Sequence, residues 1–207
     1  MSARMSASTS GRLSVAPRLV SALAAAALVT LPGVTAPAAH AATQGQVCFF
    51  LDVDRGPGGV GHAAWSIKDT ARSDHYIWGS FEGPALRHPF AMGARIAGGK
   101  WRDLTARKSI LSPAKYDFYR CQRTATGDIA KAQRKYRAVA RSNYDIRVNN
   151  CLTGAGEIFR AYSPAMTTRQ LPNGIGGRAN GAGLSPTYYI KTYLTSHGRG
   201  WGPVKHY

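Results

Sequence analysis

The sequence predicts an α+β fold in which a small antiparallel sheet packs on helices. Three observations carry this. Short segments rich in aromatic and branched residues come first, at 46–53, 61–67 and 75–81. Helix signals follow, as a capped start at 112–124 and as helical periodicity at 128–143 and 151–162. The chain beyond residue 41 keeps 166 of its 207 residues, enough for one domain with a real core.

Residues 1–41 read as a signal peptide and 42–207 as a single domain. Arg4, Arg12 and Arg18 supply a basic leader without an acidic residue, and LVSALAAAALVTLPGV (19–34) is an apolar run of signal-core length. AHA (39–41) fits the small-x-small cleavage pattern. The run contains Pro32 and Gly33 and polar sequence follows it, so it does not read as a membrane span. No transmembrane segment is expected in 42–207. The expected location is extracellular, with retention at the cell wall.

Three of the 27 basic residues lie in the leader, which leaves 24 against ten acidic ones, a formal +14. Such a charge draws an exported protein to anionic wall polymers or anionic lipid. Nucleic acid would respond to the same charge, but no specific nucleic-acid partner is expected outside the cell. The plainer reading is a basic surface that only aids solubility.

In chain order, QVCFFLDV (46–53) is strand-like and RGPGGVG (55–61) is a turn. The latter lacks the Gly-Lys-Ser/Thr ending of a phosphate loop. GHAAWSI (61–67) and HYIWGSF (75–81) form a hairpin through the polar KDTARSD (68–74), centred near Ala71. The stretch 84–109 is hard to assign, with a further strand expected in RIAGGKWRDL (95–104). SPAKYDFYRCQRT (112–124) opens with Ser112 and Pro113, a helix start that places Cys121 at a helix end. In 128–143, Ile129, Ala132, Tyr136, Val139 and Ala140 share one face and a basic stripe lies opposite. From Cys151 the apolar positions Leu152, Ala155, Ile158, Phe159 and Tyr162 again share a face, and Gly154 and Gly156 suggest close backbone packing. LPNGIGGRANGAG (171–183) is a loop, SPTYYIKTYLTS (185–196) a short helix, and the Gly-rich tail from 197 reads as mobile.

Cys48, Cys121 and Cys151 are an odd set. In an oxidising compartment two would pair and one would be left as a thiol. Cys151 opens a helix behind Asn149 and Asn150, where free N–H groups favour a thiolate. A nucleophilic thiol also needs a base. Of the five histidines past residue 41, His62 is best placed, at the edge between a Gly-rich loop and a strand.

GHAAWSI, a second strand, a helix, and then NNC opening another helix resemble the permuted papain-like fold, which includes NlpC-type wall peptidases and lecithin:retinol acyltransferase-like proteins. The resemblance covers roughly residues 60–162. It implies Cys151 as nucleophile, His62 as general base and the Cys151 N–H as part of an oxyanion site. It also implies a polar residue on the second strand that orients the imidazole. A hairpin centred near Ala71 favours Ser80 or Glu82 for this role and puts His75 on the order of 16 Å away. Asn150 and Trp65 are the candidate substrate-binding residues. Cys48 and Cys121 would then pair. The implied function is a secreted cysteine hydrolase or acyltransferase acting on amide bonds, with cell-wall peptide as substrate. The alternative is a basic wall-binding domain that keeps the fold without the chemistry. No cofactor is expected, and no metal site, because HExxH, CxxC and spaced His/Cys sets are missing from the sequence.

Overall fold

The computed structural model describes residues 44–55, 59–85, 88–146, 148–172 and 184–207. The signal-peptide segment, residues 56–58 of the Gly/Pro turn and most of the 171–183 loop lie outside the described residues. The elements are β1 (Gly45–Asp52), β2 (His62–Lys68), β3 (Tyr76–Ala85), β4 (His88–Gly99), α1 (Trp101–Leu104), β5 (Phe118–Thr124), α2 (Ile129–Ala140) and α3 (Cys151–Tyr162). A C-terminal helix follows as α4 (Pro186–Tyr188), a π-helical turn (Tyr189–Tyr193) and α5 (Leu194–His197), before β6 (Lys205–His206). The fold is α+β, with one antiparallel sheet in the order β4-β3-β2-β1-β5-β6.

β1 explains the continuous apolar run VCFFL. It pairs with β2 on one side and β5 on the other, and both of its faces are covered. Val47, Phe49 and Leu51 meet Trp65 and Ile67 of β2 and the apolar face of α3. Cys48 and Phe50 meet Ala64, Trp78, Leu104, Leu111 and Tyr116 on the opposite face. A strand buried on both sides has no reason to alternate. Phe49 is fully buried, with ring centroids of Phe159 at 4.7 Å and Trp201 at 5.2 Å. Each such ring contributes about 2–3 kcal/mol by leaving water.

The segment 112–124 departs from the predicted helix. Ser112 and Pro113 do start one turn, in which the Lys115 and Tyr116 N–H groups donate to the Ser112 carbonyl at 2.9 and 3.2 Å. The chain then straightens into β5. Arg120, Gln122 and Thr124 are buried and alternate with more exposed neighbours, a period of two. Cys121 therefore lies within a strand directly opposite Cys48, and the two form a disulfide of 2.04 Å.

Two other expectations shift. The β2–β3 hairpin pairs Ala64 with Ser80 and Lys68 with Tyr76, one residue further along than a centre at Ala71. The tail after residue 197 is packed against the protein. The Trp201 indole N–H donates to the Gln170 carbonyl at 2.6 Å, and the His206 ring lies tilted 4.4 Å from that of Phe118. Buried Arg120 links this tail to the C-terminal helix, donating to the Gly202 carbonyl at 2.7 Å and to the Ile190 carbonyl and Thr195 hydroxyl at 3.1 and 2.9 Å. The strand in 95–104 ends at Gly99, and Trp101–Leu104 is helical. Among the described residues no helix is long and apolar enough to cross a membrane.

Gly154 bears out the close packing expected of α3. A Cβ there would lie 2.8 Å from the Phe81 ring and 3.1 Å from Val139, at the meeting of α3, β3 and α2. Gly154→Ala should lower unfolding stability by about 1–3 kcal/mol despite alanine's better helix propensity. Urea denaturation checks this, and an unchanged or raised midpoint would show that the layers are not in contact at this point.

Candidate active site

The site forms where β2 begins. Gly61 precedes it with φ +81°, a conformation that favours glycine, and a Cβ there would meet Thr187 Oγ1 at 2.3 Å. This turn brings the loop after β1 back against the sheet, so that Asp52 pairs with His62. α3 arrives from the helical layer with Cys151 at its first position. Asn150 is the N-cap: its Oδ1 accepts from the Leu152 and Thr153 N–H groups at 3.0 and 3.1 Å. Its Nδ2 donates to the Ile146 carbonyl at 2.7 Å. The Thr153 hydroxyl accepts from the Asn150 N–H at 2.8 Å, which closes a capping box.

Cys151 Sγ accepts from the Ala63 N–H at 3.4 Å, one residue past His62. It is the free cysteine of the three. The N–H groups of Leu152 and Cys151 itself also favour its anion, as does the Arg55 guanidinium, yet burial outweighs them all and pushes the thiol above its ordinary value. The helix start supplies the donors the sequence suggested, but desolvation wins.

His62 shows the same competition with the opposite charge. Burial is the main cause that holds its imidazole down to about 4, Glu82 works against burial, and Arg55 adds to it. Nε2 is buried without a hydrogen-bond partner. His62 shares the strand parity of Ala64 and Ser66, whose face looks away from α3, and its ring lies 6.2 Å from that of Tyr116.

Ser80 and Glu82, the two candidate orienting residues, act on each other. The Ser80 hydroxyl donates to Glu82 Oε1, and Glu82 Oε2 pairs with Arg55 Nη2 at 2.6 Å. Burial alone would raise the Glu82 carboxyl. The Ser80 hydroxyl, His62 and Arg55 together hold it below its ordinary value. Continuing the pairing of Ala64 with Ser80 sets Glu82 across from His62. His75 sits at the far end of the hairpin, with Nδ1 3.7 Å from Asp69 Oδ2.

The substrate-binding candidates have structural surroundings. Trp65 is 1% exposed and packs 5.8 Å from Tyr136, inside the core. Asn150 spends its polar atoms on the local backbone as described.

Arg55, Tyr116 and Tyr144 complete the cluster without having been singled out from the sequence. Burial, then the charges of Glu82 and Cys151, raise the Tyr116 phenol, which also shares a hydrogen bond with Ser80. Burial and then Cys151 push Tyr144 up to about 12. These residues come from three separate loops, so no spacing in the sequence joins them. Arg55, in the Gly/Pro turn, was the one discoverable as a charge beside a candidate site. Among the described residues no group of three or more His, Cys, Asp or Glu is placed to hold a metal ion.

The depressed His62 value has a consequence for stability. Between about 6.5 and about 4 the unfolded chain binds a proton that the folded protein does not. Stability should therefore fall as pH drops through this window, by about 3 kcal/mol at most, and His62→Gln should flatten the slope. Urea midpoints across the window check this, and an identical slope in the variant would show His62 to be solvated. The chain matches no family model, and no curated protein or solved structure is significantly similar to it.

Proposed function

We propose that the protein is a cysteine hydrolase or acyltransferase acting on amide bonds, with Cys151 as nucleophile and His62 as its base. The observation that carries this reading is the free thiol at the start of a capped helix, held on the backbone N–H beside His62 while the other two cysteines are bonded to each other. The resemblance to permuted papain-like enzymes supports the same roles.

At neutral pH both groups rest uncharged, since burial raises the thiol and lowers the imidazole. Proton transfer therefore belongs to the step of attack. Sγ bonds to the substrate carbonyl carbon as its proton passes to His62 Nε2. The Asn150 cap takes the Leu152 and Thr153 N–H groups, so the Cys151 N–H is left to hold the developing oxyanion. The C–N bond then breaks, the amine leaves with the proton from the imidazolium, and a thioester remains on Cys151. Water or a second amine releases the acyl group. Glu82, held by Ser80 and Arg55, favours the imidazolium that forms in between.

Wall peptide is the proposed substrate and an anionic wall polymer the proposed partner. The formal +14 of residues 42–207 supports accumulation at such a surface.

A second reading has its own support. Burial of the thiol, and a His62 whose strand parity faces away from α3, suit a wall-binding domain without catalysis. The two separate on one measurement. A peptide acyloxymethyl ketone should alkylate Cys151, detected by mass spectrometry, and Cys151→Ala should abolish both the adduct and peptide hydrolysis. His62→Ala should slow hydrolysis by about 10²–10⁴-fold while leaving the fold intact. A thiol that stays unmodified in the native protein but reacts after unfolding, together with retained wall binding, would establish the non-catalytic reading instead.

A further inference from the structure

The sheet face turned away from α3 carries a groove that the Cys151 chemistry does not use. One cavity of about 530 Å³ is lined by Tyr76, Trp101, Tyr119, Arg123 and Lys205, among others. A second, of about 300 Å³, is lined by Gln46, Lys68, Tyr76 and Arg123, among others. They share Gln46, Tyr76 and Arg123, so they form one continuous depression. The register places it on a single face: Gln46 lies opposite Arg123, Cys48 opposite Cys121 and Phe50 opposite Tyr119.

Its construction is specific. Trp101 is at the centre, with ring centroids 5.2 Å from Tyr76 and 5.8 Å from Tyr119. All three rings are half-buried, so each keeps a surface toward the groove. Lys205 Nζ lies 5.9 Å over the Tyr119 ring, while Arg123 is exposed and Lys68 half-buried. None of the described residues lining either cavity is a carboxylate. Gln46 adds an amide that can both donate and accept.

Aromatic faces accept the apolar C–H side of a sugar ring, amides bond hydroxyls, and three cations select for acidic groups. We propose that this groove binds an acidic polysaccharide, with sugar rings on the Trp101 platform and their anionic groups on Lys68, Arg123 and Lys205. A single-stranded nucleic acid also stacks on rings between cations. The polysaccharide is favoured because Cys121, in the groove wall, is held in a disulfide, and such bonds persist in oxidising compartments. The proposal is independent of the Cys151 reading, since neither cavity is lined by Cys151, His62, Ser80, Glu82 or Arg55.

The test compares oligogalacturonate, a neutral cello-oligosaccharide and an oligothymidylate of matched charge, read by tryptophan fluorescence and by affinity electrophoresis on the intact protein. Oligogalacturonate should bind most tightly. Arg123→Glu with Lys205→Glu should weaken it at least about tenfold, a difference near 1.4 kcal/mol. Arg134→Glu with Arg137→Glu, the same change in net charge on exposed α2 positions, should weaken it less than about threefold. Trp101→Phe should remove the fluorescence response and keep part of the affinity. Equal losses from the two charge reversals would reduce the groove to a non-specific basic surface and overturn the proposal. So would tighter binding of the oligothymidylate, equal binding of the neutral sugar, or no binding of oligogalacturonate. The charge reversals lie at exposed positions, and unfolding midpoints verify that each variant is folded.

Discussion

Burial of β1 on both faces is the constraint from which the rest of the structure follows. A strand with Phe49 on one side and Phe50 on the other must be covered twice. Helices α2 and α3 cover one side. The other is covered by α1, the turn at 112–117 and the aromatic residues around Trp101. The disulfide joins β1 to β5 at the middle of this arrangement, across a sequence separation of 73 residues. In the chain-entropy picture, a link that long restricts the unfolded chain by about 4 kcal/mol.

The two coverings leave the protein with two chemically different regions. Where α3 meets the end of β2, the polar groups are enclosed: Cys151, His62, Ser80 and Glu82 are all wholly or largely buried, and Arg55 is the cation that reaches them. Around Trp101, on the sheet face turned away from α3, the aromatic rings are half-buried and Arg123 and Lys205 are exposed. Enclosure decides the electrostatics of the first region. The same desolvation that raises a thiol lowers an imidazole, so the pair rests neutral even with helix N–H groups and a carboxylate nearby. The N–H donors and Arg55 favour the thiolate, but Arg55 opposes an imidazolium, so they do not offset the loss of water around both groups.

Arg55 joins the enclosed groups electrically. It lowers the Glu82 carboxyl and the Cys151 thiol and also opposes a positive His62. Glu82, held by Ser80 and Arg55, is therefore the counter-charge beside the imidazole, and Arg55 offsets part of it.

The sequence by itself determined the class of fold, the β2–β3 hairpin and the start of α3, but not the order of elements, since β5 follows α1 and β6 comes last. Each rests on local signals: two strand-like segments, the polar connection between them, and Asn150 ahead of an apolar stripe. It also singled out Cys151, His62, Ser80 and Glu82, and the odd count of cysteines left one thiol over. Tertiary structure alone decided the identity of 112–124, because Ser112 and Pro113 signal a helix that lasts one turn before pairing with β1 takes over. It also decided the ionisation of the site. Charge spacing is visible in a sequence, but the water removed around Cys151 and His62 depends on elements more than 80 residues apart folding onto one another. Tyr116 and Tyr144, from separate loops, were hidden for the same reason: proximity made by packing leaves no period to read.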